Sequence, residues 1–112
     1  MLILGIESSC DETGLALYSE EEGLIAHMVN SQVELFTEYG GVIPEIAARD
    51  HSVKIIKILK NLLKKADKKL DDVNLIAYTA GPGLIGSLMV GETVAKTISN
   101  ILDIELLPIN HL

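Results

Sequence analysis

The chain has 112 residues, enough to bury one hydrophobic core but too few for two lobes with a cleft between them. Its composition, 48% hydrophobic and 22% charged, argues against disorder, and its single cysteine excludes a disulfide framework. The net charge of −7 argues against independent binding to a nucleic-acid backbone. Because it shows neither a basic secretory leader nor an apolar stretch near the roughly 20 residues of a membrane span, we predict a soluble, cytoplasmic domain.

Three antiparallel strands are predicted at the start of the chain. The apolar runs span residues 2–7, 15–18 and 24–29. Polar turn residues at 8–14 and 19–23 separate these runs, as in a hairpin meander.

A long amphipathic helix is predicted next, from Pro44 to near Lys68. Proline is favoured in a first helical turn, and Glu45 beside it suits the positive end of the helix dipole. Apolar residues then recur at a spacing of three to four, while seven of the nine Lys and Arg residues lie between 54 and 69. We therefore predict an apolar face toward the core and a basic face opposite it.

The remaining residues predict a β-α-β unit. A strand at 73–79 is broken at Gly81-Pro82-Gly83, a helix follows at 84–102, and a short strand at 106–109 comes last. The complete order is βββαβαβ, without internal repeat or linker. Such an order indicates an α/β fold with a mixed sheet covered by helices.

The first candidate site lies at residues 7–14, where three carboxylates and three hydroxyls crowd one predicted turn. Carboxylates at a strand end can hold a hydrated Mg²⁺, and hydroxyls can approach phosphate oxygens. The alternative is a polar hairpin turn whose side chains only satisfy nearby backbone groups. The candidate residues are Glu7, Ser8, Ser9, Asp11, Glu12 and Thr13.

The second candidate site is the strand, glycine turn and helix start at residues 79–87. Its backbone N–H groups and the helix dipole could face an anion, with Gly81 and Gly83 permitting close approach. The segment matches neither a P-loop nor the dinucleotide fingerprint. A tight turn with small residues for helix packing is the alternative.

Other polar residues carry weaker hypotheses. Arg49 and His51 could reach a cleft or pair locally on the helix, and His27 is interpreted as structural. Neither Cys10 nor His111 has a partner in sequence that would make it a nucleophile or a metal site by itself.

Three strings together resemble one family closely and over residues 2–112. They are GIESSCDET at 5–13, YGGVIPE at 39–45 followed by ARDH at 48–51, and TAGPGL at 79–84. These strings are similar to those of the universal tRNA threonylcarbamoyladenosine transferase family in its bacterial form. Its members once carried the label O-sialoglycoprotein endopeptidase, or glycoprotease.

The resemblance implies a fold and a function. The fold is the actin-like ATPase (ASKHA, ribonuclease H-like) fold, of which residues 1–112 would form an incomplete N-terminal lobe, with the second lobe absent from the chain. The function is transfer of threonylcarbamoyl from threonylcarbamoyl-AMP to N6 of adenosine 37 in tRNAs reading ANN codons. The expected location is the cytoplasm, and we expect these residues alone to be inactive.

The resemblance also implies site residues. Asp11 and Glu12 match catalytic positions, and we assign Ser8, Ser9, Gly81 and Gly83 to binding of the substrate or nucleotide. His111 matches the first ligand of a three-ligand iron or zinc site, whose second histidine, in His-x-Glu-Gly-His, and distant aspartate are absent here. Two departures from the family pattern are Phe36, where a histidine is usual, and Glu92, where a small or apolar residue is usual.

Two rival functions stay open. The bacterial enzyme works beside a paralogous ASKHA subunit and a small ATPase, so this lobe could be a docking scaffold, and a homodimer is also possible. A metalloprotease, as the old label suggests, lacks support because the chain contains no His-Glu-x-x-His. The basic face at 54–69 is either a solvated helix surface or a surface that steers tRNA or an acidic partner.

Overall fold

The computed structural model describes residues 1–8, 12–31, 44–83 and 85–110. The predicted order βββαβαβ and the α/β class are confirmed across these residues. The elements are β1 (Leu2–Glu7), β2 (Glu12–Ser19), β3 (Gly23–Ser31), α1 (Pro44–Ala66), one turn of 3₁₀ helix (Leu70–Asp72), β4 (Leu75–Gly81), α2 (Ile85–Leu102) and β5 (Glu105–Asn110).

The five strands form one mixed sheet in the order β3-β2-β1-β4-β5. The predicted meander is confirmed, since β1 pairs antiparallel with β2 and β2 pairs antiparallel with β3. Strand β4 then lies beside β1 and parallel to it, and β5 lies parallel to β4. The first and fourth strands along the chain are therefore neighbours at the centre of the sheet.

Both helices pack on one face of this sheet and enclose the core. Side chains alternate along β1, so that Leu4 and Ile6 are buried in the core while Gly5 between them is on the other face. Helix α1 covers β2 and β3, helix α2 covers β4, and the two helices contact each other. They contribute the buried residues Ile55, Ile58, Leu59, Leu62, Ala95 and Ile98.

Helix α1 ends at Ala66, two residues before the predicted end near Lys68. Asp67 adopts a left-handed conformation with φ 54°, and the Lys68 N–H donates to the Leu63 carbonyl at 3.0 Å. A left-handed residue followed by such a hydrogen bond is a common way to satisfy the last carbonyl groups of an α-helix. The basic face is confirmed for Lys57, Lys60, Lys64 and Lys65, whose side chains are exposed on α1.

The predicted turn at 8–14 is too long, because β2 already begins at Glu12. Glu7 pairs with Gly14 in the sheet, and Thr13 is fully buried on the helix-covered face with Leu15 and Leu17. The inward-facing positions of β2 thus include the polar Thr13, and a search for alternating hydrophobic residues does not identify it as part of the strand. No helix in the described part of the chain is long and apolar enough to cross a membrane.

Candidate functional site

The sheet topology brings the two candidate motifs together. Because β1 and β4 are parallel neighbours with Ile6 opposite Tyr78, their carboxyl ends lie side by side. The first motif begins at the end of β1 and the second at the end of β4. Ligands of α/β proteins commonly bind in a crevice outside such carboxyl ends. The two motifs therefore belong to one candidate site.

A hydrogen bond links the two strand ends on the face opposite the helices. The Thr79 hydroxyl donates to Glu7 Oε2 at 2.6 Å, across residues 72 apart in sequence. Both side chains are partly buried. A short bond to a carboxylate is among the stronger hydrogen bonds in proteins, so it fixes the separation of the two strand ends.

A second link joins β1 to α2 on the helix-covered face. The buried Ser8 hydroxyl donates to the Ser87 carbonyl at 2.8 Å. Gly91, one turn further along α2, lies so close to Ser8 that a Cβ at this position would collide with the Ser8 hydroxyl. Ser8, assigned to ligand binding from the sequence, thus uses its hydroxyl to hold the first turn of α2 against the end of β1.

The Ser87 hydroxyl itself is buried and finds no hydrogen-bond partner within the described ranges. Side chains on a helix lean toward its N-terminus, so this hydroxyl lies near the first turn of α2. Sequence reasoning includes Ser87 in the second candidate site without giving it a role, and it misses Gly91. The available signal was their spacing of four, which places two small residues on one face of the helix.

The glycine turn between β4 and α2 has the conformation that its composition favours. Gly81 has a φ angle of 152°, a backbone conformation that residues other than glycine rarely adopt. Gly83 is exposed. Helix α2 begins at Ile85 with no acidic residue in its first turn. The N-terminal turn of an α-helix has N–H groups without partners inside the helix and the positive end of its dipole, and both can attract an anion at this end of the sheet.

The remaining predicted site residues divide into two groups. Glu12 begins β2, where its backbone pairs with Ser31. Ser9, Asp11 and His111 lie outside the described residues, and so do Cys10 and Phe36. Within the described ranges no three His, Cys, Asp or Glu residues converge as a metal site would require.

Two other residues singled out in the sequence lie on the surface. His27 is exposed on β3, on the side of the sheet opposite the helices, rather than within the core. Glu92 on α2 forms an ion pair with Lys96 at 2.7 Å, and this hydrogen bond raises the pKa of Lys96. Glu92 departs from the family pattern, and the surface ion pair with Lys96, one helical turn away, accommodates its charge.

Solved structures show the same fold. YeaZ from Pseudomonas aeruginosa superimposes with a TM-score of 0.73 at 20% identity, covering 99% of this chain and 43% of that one. A second structure, described as an uncharacterized protein with similarity to the peptidase YeaZ from Pseudomonas aeruginosa, gives 0.74 at 22% identity, with 99% and 44% covered. The expected actin-like ATPase fold class is thereby confirmed.

Sequence comparison identifies the family. The family model described as TsaD, tRNA N6-adenosine threonylcarbamoyltransferase, matches residues 23–112. Relatives of that name from Chromobacterium violaceum and Methylobacillus flagellatus are 53% and 51% identical over all 112 residues, which cover 33% of each relative. The chain therefore spans about a third of their length, at the N-terminal end, and it belongs to the tRNA N6-adenosine threonylcarbamoyltransferase family.

Proposed function

We propose that this chain is the N-terminal lobe of an enzyme that transfers threonylcarbamoyl from threonylcarbamoyl-AMP to N6 of adenosine 37 in tRNAs reading ANN codons. The observation that carries the proposal is identity of 51–53% along the whole chain to two relatives named for this transferase activity. Because the chain spans a third of those relatives, the lobe alone is inactive in this proposal. Its location is the cytoplasm.

The binding role falls to the paired strand ends. Ser8 follows β1, Gly81 ends β4 and Gly83 follows it, and in this proposal they bind the adenylate phosphate near the first turn of α2, together with Ser9, which lies outside the described residues. Exposed Gly83 and the positive end of α2 support this assignment, since a phosphate needs close approach and N–H donors. The links from Glu7 to Thr79 and from Ser8 to α2 would keep this binding geometry constant.

The chemical role falls to Asp11 and Glu12. In the transfer, the N6 nitrogen forms a bond to the carbamoyl carbon, the bond from that carbon to the AMP oxygen breaks, and N6 loses a proton. A carboxylate beside the adenylate can accept that proton while AMP leaves with the electron pair. Glu12 supports this role by its place at the start of β2, next to the carboxyl end of β1.

The proposal includes one metal ion in the full-length enzyme. In the full-length enzyme, His111 would supply one of three ligands to a single iron or zinc ion. The chain has three histidines, and neither His27 nor His51 is at the spacing of four that the family motif requires. These 112 residues therefore do not fit a three-ligand site, and the chemistry proposed for them uses no metal.

The partners are those of the full-length enzyme. They are threonylcarbamoyl-AMP, tRNA, a paralogous ASKHA subunit and a small ATPase. The docking experiment below also tests self-association as a homodimer.

A chimera tests the proposed activity. Residues 1–112 would replace the matching N-terminal third of the Chromobacterium violaceum relative, and tRNA nucleosides from cells lacking their own enzyme would be examined by mass spectrometry. We expect threonylcarbamoyladenosine from the chimera and none from the 112-residue chain alone. Glu12→Gln in the chimera should reduce the product by at least about 100-fold, as removal of a general base does.

The matched control is Glu20→Gln, which removes an exposed carboxylate from the turn between β2 and β3. It should leave the product level unchanged. A folded chimera that makes no threonylcarbamoyladenosine would contradict the proposed activity, and full activity of the Glu12→Gln chimera would contradict the assigned residue. Product made by the chain alone would contradict the claim that the lobe is inactive by itself.

A second candidate function is docking of the paralogous subunit. An apolar groove of about 370 Å³ runs between α1 and α2, with Ile56, Leu63 and Val94 in its lining. Ile56 and, beyond the groove, Met89 are exposed, although large apolar side chains usually avoid water. Lys60 is exposed at the edge of the groove, so the groove favours binding of a partner helix that is apolar on one face and has acidic residues beside that face.

Substitution in the groove tests docking. Ile56→Asp should abolish capture of the paralogous subunit by the chain, while Lys69→Asp, outside the groove, should retain it. Equal capture by the wild-type chain and Ile56→Asp would exclude the groove. A stable complex of two copies of this chain that is lost with Ile56→Asp would show that the groove serves a homodimer instead.

A further inference from the structure

The positive charge of this acidic chain is concentrated on one helix. Residues 54–69 contain seven lysines and one aspartate, a formal charge of +6, while the rest of the chain holds two basic and fifteen acidic residues, a charge of −13. The part of α1 from Lys54 to Ala66 contains no acidic residue. The negative net charge of the chain therefore does not describe the surface of α1.

The basic face of α1 presents four exposed lysines. They are Lys57, Lys60, Lys64 and Lys65. None of them forms an ion pair with a described residue, in contrast to Lys96 on α2, which pairs with Glu92. Because a helix rises about 1.5 Å per residue, the four charges lie within about 12 Å along the helix axis. Like charges at spacings of three and four repel each other and destabilise a helix.

The helix dipole compensates only part of this charge. Lys64 and Lys65 are in the last turn of α1, where a positive charge is favourable. Lys57 and Lys60 lie more than one turn before the end of the helix, where the dipole gives no such benefit. The neighbouring helix does not compensate them either, because the two charged residues of α2 pair with each other. The described helices thus leave the basic face with unbalanced positive charge.

We propose that the basic face binds the phosphate backbone of tRNA. Lysines are flexible point charges that contact phosphates without regard to base sequence, and such contacts fix the orientation of a bound nucleic acid. A protein partner suits this surface less well, because protein interfaces are depleted in lysine and have apolar residues at their centre, whereas the exposed residues here are lysines and Asn61. The proposal rests on the proposed function, which makes tRNA the substrate.

The charges around α1 give the bound RNA a direction. Helix α1 leads through the 3₁₀ turn to the start of β4, so its last residue lies at the end of the sheet opposite the candidate site. At that opposite end four exposed carboxylates line one polar pocket, and they belong to Glu21, Glu22, Asp67 and Asp72. Carboxylates repel phosphate. The RNA backbone is therefore expected to extend from the candidate site over the basic face and to end its contact with α1 there.

The salt dependence of tRNA binding tests the basic face. Lys57→Gln, Lys64→Gln and Lys65→Gln would be combined in the chimera, and Lys60 would be kept because it also borders the docking groove. Fluorescence anisotropy would measure the Kd of an unmodified tRNA reading an ANN codon at several salt concentrations. We expect Kd to rise by at least about tenfold at low salt. The slope of log Kd against log salt concentration should fall by about 2–3, because each lost phosphate contact removes about 0.7–0.9.

Two further variants are matched controls. Lys57→Arg, Lys64→Arg and Lys65→Arg together keep the charges, and they should keep the salt slope within about 0.5 of wild type. Lys96→Gln removes an exposed helical lysine that is already paired with Glu92, and it should change Kd by less than about twofold. Circular dichroism should show the same helix content in every variant, because all these side chains are exposed.

Three results would overturn the proposal. The first is a wild-type Kd and salt slope for the Gln variant, and if that variant also fails to capture the paralogous subunit, the basic face binds an acidic protein instead. The second is a loss of tRNA binding by the Arg variant as large as that of the Gln variant. The third is an equally large loss with Lys96→Gln, which would show a general effect of charge rather than a binding face.

The proposed function is judged by a separate readout. A chimera that binds tRNA through these lysines but makes no threonylcarbamoyladenosine would contradict the proposed activity and support the basic face as an RNA-binding surface. A chimera that makes threonylcarbamoyladenosine, and whose Gln variant binds tRNA as wild type does, would contradict only the role of the basic face.

Discussion

Two neighbouring rows of the sheet show how differently its faces are built. The row on the helix-covered face, Ala26, Leu17, Leu4, Ile76 and Leu106, is rich in large aliphatic side chains. The next row, on the open face, replaces its three central large residues by Ala16, Gly5 and Ala77. Since large side chains fill a core and small ones admit a close partner, the covered face completes the fold of this chain and the open face is shaped for another element.

The largest contrast should separate adjacent residues of β1. Leu4 is fully buried, whereas Ile3 is on the open face and is half-buried. Leu4→Ala removes packed atoms and leaves a cavity, so we expect the free energy of unfolding to fall by about 3 kcal/mol. Ile3→Ala should cost about 1 kcal/mol or less. Urea unfolding followed by circular dichroism measures both, and equal losses would contradict the assignment of the two faces.

Gly91→Ala probes the contact between α2 and β1. The new methyl group would collide with the Ser8 hydroxyl and disturb its bond to the Ser87 carbonyl, so we expect a loss of about 1–3 kcal/mol in unfolding free energy. Gly86→Ala, exposed on the same helix, is the matched control and should gain up to about 1 kcal/mol from helix propensity. If both variants were stabilised, the close approach of α2 to Ser8 would be refuted.

Ser87→Ala should change stability in the opposite direction. A buried hydroxyl without a partner costs free energy, and alanine fits the same space, so we expect a gain of up to about 1 kcal/mol. The control is Ser99→Ala, which removes a hydroxyl that donates to the Ile104 carbonyl at 2.6 Å and should lose about 1 kcal/mol. A loss at Ser87 as large as that at Ser99 would show that the Ser87 hydroxyl is hydrogen-bonded.

The smallest expected effect is on the open face itself. Ala77→Leu adds bulk where no described element packs, and the unfolding free energy of the chain should stay within about 0.5 kcal/mol of wild type. The same substitution in the chimera would add bulk where the relative's part is expected to pack on the open face, and it should lower the unfolding free energy of the chimera by about 1–3 kcal/mol. Equal effects in the two proteins would contradict the comparison of the faces.

Most elements of the fold could be predicted because their patterns are long and regular. The recurrence of apolar residues between Ile55 and Ala66 specifies the buried face of α1, and the glycine turn at 81–83 separates β4 from α2. The predicted start of β2, at Leu15, is later than the observed start at Glu12. Thr13 is polar although it is buried in the strand, so the apolar pattern does not include it. The apolar neighbours of His27 indicate a structural role, and alternation along β3 adds that its side chain lies on the exposed side.

The site was harder to predict because it depends on strand order. The sequence identifies both motifs, but only the placement of β4 beside β1 brings Glu7 within 2.6 Å of Thr79. Likewise, the contact of Ser8 with Ser87 joins residues 79 positions apart, and no local spacing predicts such a pair. The roles of Asp11, Glu12 and His111 stay predictions.

The most direct test of the account is a crystal structure of the chimera between this chain and the remaining two-thirds of the Chromobacterium violaceum relative. We expect α1 and α2 on the covered face as described, with a helix from the relative's part lying across Ala16, Gly5 and Ala77. An open face that contacts only solvent, or that pairs with a second copy of itself, would contradict the account.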